Sequence, residues 1–192
     1  LATSSAASDV YKRQDDTMAQ KKTSMFTLTE RLTITADNVE TFATIDTGSY
    51  VDVGDRQALQ IHSVDFIFQG TTANASMLST FTTNATALVQ LTDLNRGGLV
   101  FADDRALIAS AAMSFADENV ITNEADMYPD NFGKGADDGR FVVNDQLYIT
   151  GITANLDTNK ALNCTVRINA SIVTLTAKDF MAIAIQSTAA DN

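Results

Sequence analysis

The chain has 192 residues, with 24 acidic and 13 basic side chains and a formal net charge of −11. Hydrophobic residues make up 45% and charged residues 19%, which is too apolar for a disordered chain and suits one globular domain. The single cysteine excludes an intramolecular disulfide framework, and the single histidine excludes any site that needs two. The excess of acid argues against a folded body that holds nucleic acid by charge alone.

The first seventeen residues read as a segment foreign to the fold. Residues 9–14, DVYKRQ, look like the translated end of a sequencing adapter, which points to a metagenomic assembly as the source. We therefore predict that residues 1–17 are this artefact, with Met18 as the natural start; a disordered tail is the alternative. Without them the chain keeps a net charge of −10. No apolar run is long enough to predict a signal peptide or a membrane span.

Beyond a polar N-terminal arm at 18–25, apolar and polar residues alternate with a period of two. Such alternation, rich in threonine and interrupted by Asp, Asn and Gly, is typical of half-buried strands joined by turns. The clearest example runs from Leu162 to Ile172, where apolar residues alternate with Asn, Thr, Arg and Ser. The predicted strands are 26–34, 39–45, 50–53, 59–69, 77–83, 85–91, 140–143, 146–154 and 162–172.

Two segments predict helices instead. Asp103 and Asp104 can cap a mid-chain helix over 105–115, which carries an apolar face. Thr176 and Asp179 fit a capping-box pattern ahead of an apolar run, and this predicts a short C-terminal helix, with a final strand as the alternative. Between them lies an irregular, acid-rich insertion around 117–139, of the length that function or a partner usually explains.

These elements predict a mainly β protein. Residues 26–192 are expected to form a single antiparallel β-sandwich of jelly-roll type, with one mid-chain helix and a short C-terminal helix. The strands do not alternate regularly with helices, so a doubly wound parallel sheet is not expected.

The order of elements resembles the single jelly-roll coat (capsid) protein of small icosahedral viruses. The segment 26–34 resembles the first strand of that family, 59–69 the next long strand, and 146–176 the final pair. The resemblance implies a structural protein that self-assembles into a virion shell, with itself and other virion proteins as partners, and no enzymatic activity. The alternatives are a subunit of a phage tail or cell-surface filament, and an extracellular or cell-surface β-sandwich that binds carbohydrate or another surface.

The reactive side chains favour structural roles. His62 lies in a central strand, and its neighbours Ser63 and Asp65 alternate faces along that strand, so a catalytic triad has support from composition only. We interpret His62 as a hydrogen-bonded structural or interface residue. Cys164 falls on the apolar side of its strand and is interpreted as a buried structural thiol. No catalytic residue and no cofactor is predicted.

Two weak binding sites remain. The acidic insertion offers oxygen ligands for calcium from Asp126, Asp130, Asp137 and Asp138, but the spacing does not match an EF-hand, so a solvated loop is favoured and the calcium site is the alternative. Lys21 and Lys22 form a small basic concentration in the N-terminal arm. Two lysines favour a solubilising terminus, with a weak nucleic-acid contact as the alternative.

Overall fold

The computed structural model describes residues 19–72, 79–115, 121–124, 132 and 138–188. Within these ranges the chain forms ten strands and one helix. The elements are β1 (Ala19–Lys21), β2 (Phe26–Ile34), β3 (Thr41–Asp46), β4 (Gln57–Gln69), β5 (Phe81–Thr92), β6 (Leu107–Phe115), β7 (Ile121–Glu124), β8 (Arg140–Val142), β9 (Gln146–Leu156), β10 (Leu162–Leu175) and α1 (Ala177–Thr188).

The strands form two antiparallel sheets of five. In sheet A, β1 and β2 pair with opposite halves of β10, followed by β4 and β8; in sheet B the order is β3, β9, β5, β6, β7. From β2 onward, consecutive strands cross from one sheet to the other, except along β5, β6 and β7. This is the double Greek-key arrangement of a jelly roll. The prediction of an antiparallel jelly-roll sandwich is therefore confirmed.

The alternation seen in the sequence places one apolar face of each sheet in the core between them. The two sheets approach closely at Gly151 of β9, where a Cβ atom would lie 2.5 Å from Leu32 Cδ2 and 3.0 Å from Ile34 Cδ1. Only a residue without a side chain fits there. Large side chains that are fully buried in this core include Leu32, Ile34, Leu59, Ile61, Leu91, Ile108, Leu147, Ile149, Leu162 and Ile168.

The predicted mid-chain helix over 105–115 is wrong, because Leu107–Phe115 forms β6 between β5 and β7. The Ala-rich segment is compatible with a helix by propensity, but pairing on both sides and burial of most of its residues override that preference. Asp104, the residue expected to cap this helix, instead closes a turn before β6. Its Oδ1 accepts a hydrogen bond from the backbone N–H of Ala106, two residues further on, at 2.8 Å.

The C-terminal helix is confirmed as α1. Thr176 Oγ1 accepts a hydrogen bond from Asp179 N at 3.2 Å, as the capping pattern predicts, and its hydroxyl also donates to Asp179 Oδ2. The helix covers a second, smaller apolar cluster beside sheet A, which consists of Ala19, Ala58, Phe141, Val173, Leu175 and Phe180. Among the described residues no helix is long and apolar enough to span a membrane.

A smaller difference concerns the predicted strands 77–83 and 85–91. The described chain has one strand there, β5, in which the pairing with β9 shifts between Phe81 and Thr86. Asn84 lies inside this irregularity with a φ of 53°. The polar residue that suggested a break in the sequence therefore marks a bulge within one strand. Residues 73–78 lie outside the described chain.

Candidate functional site

Most of the predicted calcium ligands cannot be placed. Asp126, Asp130 and Asp137 lie outside the described residues, while Asp138 is exposed and its backbone carbonyl accepts a hydrogen bond from the Gln60 side chain. Across the described ranges, no three His, Cys, Asp or Glu side chains come together as a metal site would require. The calcium site stays a prediction.

The two lysines of the predicted nucleic-acid arm lie at the edge of sheet A. Lys21 belongs to β1 and pairs with Val173 of β10, and Lys22 follows directly, with Nζ 3.0 Å from Gln57 Oε1. Both side chains are exposed. The structure thus attaches them to the sheet and leaves their charges open to solvent; a contact with nucleic acid stays a prediction.

His62 occupies a bulge in β4. The pairing with β10 jumps from Ser63 opposite Asn169 to Ile61 opposite Ala170, so His62 is the extra residue. Its Nε2 lies 2.8 Å from Ser171 Oγ, and both side chains are buried. Their burial keeps this serine–histidine pair from any substrate in the closed fold, which supports the structural interpretation of His62.

The polar chain around His62 also fixes the end of the acidic insertion. Ser171 Oγ donates to Gln60 Oε1 at 3.2 Å, and the Gln60 amide donates to the carbonyl of Asp138. Phe132 N donates to the carbonyl of His62 at 2.9 Å. Gly139 follows Asp138 directly. A Cβ atom at Gly139 would lie 2.7 Å from Ile61 O, and its φ is +108°. Glycine therefore allows the insertion to rejoin the sheet over this bulge.

Cys164 lies in the main core between the sheets. Burial raises the pKa of its thiol to about 12, so the sulfur stays protonated and unreactive near neutral pH. This agrees with the interpretation of Cys164 as a structural thiol.

A partly buried ion pair joins the two sheets at one end of the sandwich. Arg140 Nη2 of β8 lies 3.0 Å from Oδ2 of Asp93, which follows β5, and also donates to the carbonyl of Arg105. Asn144 Nδ2 donates to the carbonyl of Asp93 at 2.6 Å. Burial raises the pKa of Asp93, and the charge and hydrogen bonds of Arg140 counteract this only in part. We call this group the Asp93–Arg140 clasp.

Beside the clasp lies an open cavity of about 300 Å³, between α1 and the connection from β5 to β6. Its volume is at the lower end of the range for small-molecule sites. Two acids and two arginines line it together with apolar side chains, so the formal charges of its lining balance. The charged lining residues are Asp93, Arg105, Arg140 and Asp179.

The connection from β5 to β6 folds back over the outer face of sheet B. Gln90 on β5 accepts a hydrogen bond from Val100 N at 2.9 Å and donates one to Val100 O at 2.8 Å, while Glu40 Oε1 accepts one from Leu99 N. A second open cavity of about 300 Å³ lies between this connection and β3. Phe42 lines it and is 54% exposed, and Phe101 in the connection is 86% exposed.

Helix α1 also presents an exposed apolar surface. Met181 is 61% exposed and Ile185 is 59% exposed, one turn apart on the side away from sheet A. The sequence pattern predicts neither this surface nor the exposure of Phe42 and Phe101. Only α1 carried a visible signal, because residues 180–188 contain no charged side chain.

Comparison with known proteins identifies the fold. No protein-family model and no curated protein sequence matches the chain. Among solved structures, the chain is similar to VP1 of Trichodysplasia spinulosa-associated polyomavirus in complex with 3′-sialyllactose, with a TM-score of 0.50 at 9% sequence identity over 82% of this chain and 97% of that chain. The same VP1 in complex with sialylated precision glycooligomers matches with a TM-score of 0.47 at 7% identity, over 82% and 99% of the two chains. The chain thus shares the jelly-roll fold of a viral capsid protein.

Proposed function

We propose that this chain is the self-assembling coat subunit of a viral shell. The observation that carries the proposal is the likeness to VP1, which extends over 97% of the VP1 chain. The shared part is therefore the whole jelly roll of that protein and not a single motif within it. Since a fold can serve several functions, the surface of this chain supplies the second line of support.

That surface carries large apolar side chains in separate places. Phe101 and Phe42 project from the outer side of sheet B, and Met181 and Ile185 project from α1 beside sheet A. A closed shell requires each subunit to contact several neighbours, and buried apolar side chains stabilise such contacts. A subunit that exposes apolar groups on opposite sides of the sandwich suits that requirement.

The proposal extends to location and partners. The protein would reside in the virion, contact copies of itself and other virion proteins, and perform no catalysis. Lys21 and Lys22 would give a weak contact to nucleic acid, since two cations release few counterions. With a formal net charge of −11 over the chain, the folded domain would not hold a genome by its own charge.

The test is to purify the full chain and follow its size by light scattering and negative-stain microscopy, across salt concentrations and with and without calcium. The proposal predicts closed particles of uniform size. A monomer that persists at high protein concentration under all these conditions would count decisively against it. Fibres in the images would instead favour the tail or filament alternative.

A carbohydrate-binding module remains the second candidate. The cavity beside Phe42 also has Tyr148 in its lining, and exposed aromatic rings are the groups on which sugars stack. A glycan array probed with the purified chain separates the two functions. Binding without particle formation would favour the module, whereas particles without binding would remove it.

A further inference from the structure

The middle of helix α1 is apolar on both sides. Its two charged residues, Lys178 and Asp179, both lie in the first turn. Phe180, Ile183 and Ala184 pack against the apolar cluster beside sheet A. The opposite side carries Met181, Ala182 and Ile185, all exposed, between the exposed Lys178 and Gln186. A helix at the surface of a soluble domain normally has a charged outer side, so an apolar patch in the middle of that side indicates a contact with a partner.

We propose that the outer side of α1 packs against the same side of α1 in a second copy of the chain, with the two helices antiparallel about a two-fold axis. The inference rests on the proposed function as a self-assembling subunit, and it names one of the contacts. A two-fold contact uses one surface twice, so this surface must be complementary to itself.

The spacing along α1 provides that complementarity. When the helices run antiparallel with the axis beside residue 183, Met181 of each copy lies opposite Ile185 of the other. Ala182 between them is small, which allows the helix axes to approach to about 8–10 Å. The flexible side chain of Met181 can fill the space that remains beside the branched Ile185.

The charges on α1 favour the same orientation. The last turn of α1 contains no basic residue, so no cation of the helix itself faces the negative end of the helix dipole. In the antiparallel pair Lys178 of each copy lies beside residue 188 of the other, where a cation is favourable. Asp179 is already engaged by the Thr176 hydroxyl at its own helix start. A parallel pair would instead bring the two Lys178 side chains together.

The size of the contact suits a shell and not an isolated dimer. Each helix has 12 residues, and a stable interface buries on the order of 1,000 Å² or more. One pair of helices of this length, with three outward apolar residues each, falls short of that. The contact is therefore one of several that act together in an assembled particle.

The test uses two double variants of the full chain, both with charges on the solvent side of α1. Met181→Glu with Ile185→Glu places like charges opposite each other in the antiparallel pair, and we expect the protein concentration required for particles to rise by about tenfold or more. Met181→Glu with Ile185→Lys places opposite charges there, and we expect assembly within about threefold of the unaltered chain. Circular dichroism of both variants checks that the fold is retained.

The outcomes separate this contact from the proposed function. If the unaltered chain and both variants form particles equally well, the helix contact is overturned and the shell remains. If both variants fail to the same extent, the antiparallel arrangement is overturned. If the unaltered chain forms no particles, the proposed function and the contact fail together.

Discussion

At the scale of single residues, Asp93 is the only carboxylate that is buried among the described residues. Its partner Arg140 lies on the other sheet, so the clasp joins β5 to β8 as well as neutralising charge. Removing a carboxylate from water is costly even when a cation faces it. This cost is the reason that burial outweighs Arg140 and raises the pKa of Asp93.

The raised pKa predicts how Asp93 affects stability as pH changes. The folded protein binds the Asp93 proton more tightly than the unfolded chain does, so protonation adds to the free energy of unfolding. The gain appears as pH falls through the folded pKa, and is complete below the pKa of the unfolded chain. Urea unfolding of the unaltered chain and of Asp93→Asn, from neutral pH downward, should show their stability difference shift in favour of Asp93 as pH falls. A shift in favour of the asparagine variant would contradict this.

Gly151 gives a prediction about packing. In Gly151→Ala the new Cβ would meet Leu32 Cδ2 at 2.5 Å, Ile34 Cδ1 at 3.0 Å and Val89 Cγ2 at 3.2 Å, all inside the core. We expect the free energy of unfolding to fall by about 1–3 kcal/mol, measured by urea unfolding and circular dichroism. Gly54→Ala is the control, because its Cβ would meet only the exposed Asp52 side chain, and a change within about 0.5 kcal/mol is expected. Equal effects at both positions would refute the close approach of the sheets.

At the scale of elements, α1 depends on its first turn. Thr176→Ala removes the side-chain oxygen that accepts from Asp179 N, and should lower the free energy of unfolding by about 1 kcal/mol. Thr176→Ser keeps the hydroxyl and should behave as the unaltered chain. Thermal unfolding followed by circular dichroism distinguishes them. If serine and alanine are equally destabilising, the hydroxyl does not hold the helix start.

Most of the strands could be predicted because they have one apolar face and one polar face. The residues 162–172 alternate cleanly and 26–34 alternate with one interruption at Glu30, and both segments are strands in the structure. β6 could not be predicted in this way, since it is buried on both faces and its alternation disappears. Alanine then favours a helix locally, and only the pairing with β5 and β7 decides the outcome.

The candidate sites were less predictable than the fold. His62 was correctly interpreted as hydrogen-bonded, but its partner Ser171 is 109 residues away, and only the β10 pairing brings them together. The Asp93–Arg140 clasp could not be predicted for the same reason, because its two residues are far apart in the sequence and only the packing of the two sheets brings them together. The exposure of Phe42 and Phe101 depends on whether other parts of the folded chain cover their rings. The local sequence pattern does not predict this.

At the scale of the whole molecule, the charge and the apolar surfaces act in opposite directions. A net charge of −11 makes copies repel one another, while exposed apolar residues on α1 and on the side of sheet B attract them. Salt screens the repulsion between exposed charges over about 10 Å at 0.1 M and leaves apolar contacts in place. Self-association should therefore become stronger as the salt concentration rises, and a contact based on opposite charges would show the reverse trend.

The central claim is that this jelly roll is a shell subunit, and its most direct test is negative-stain microscopy of the purified full chain over a series of salt concentrations. The account predicts closed particles of uniform diameter, more abundant at higher salt. A chain that stays monomeric at every salt and protein concentration would contradict it.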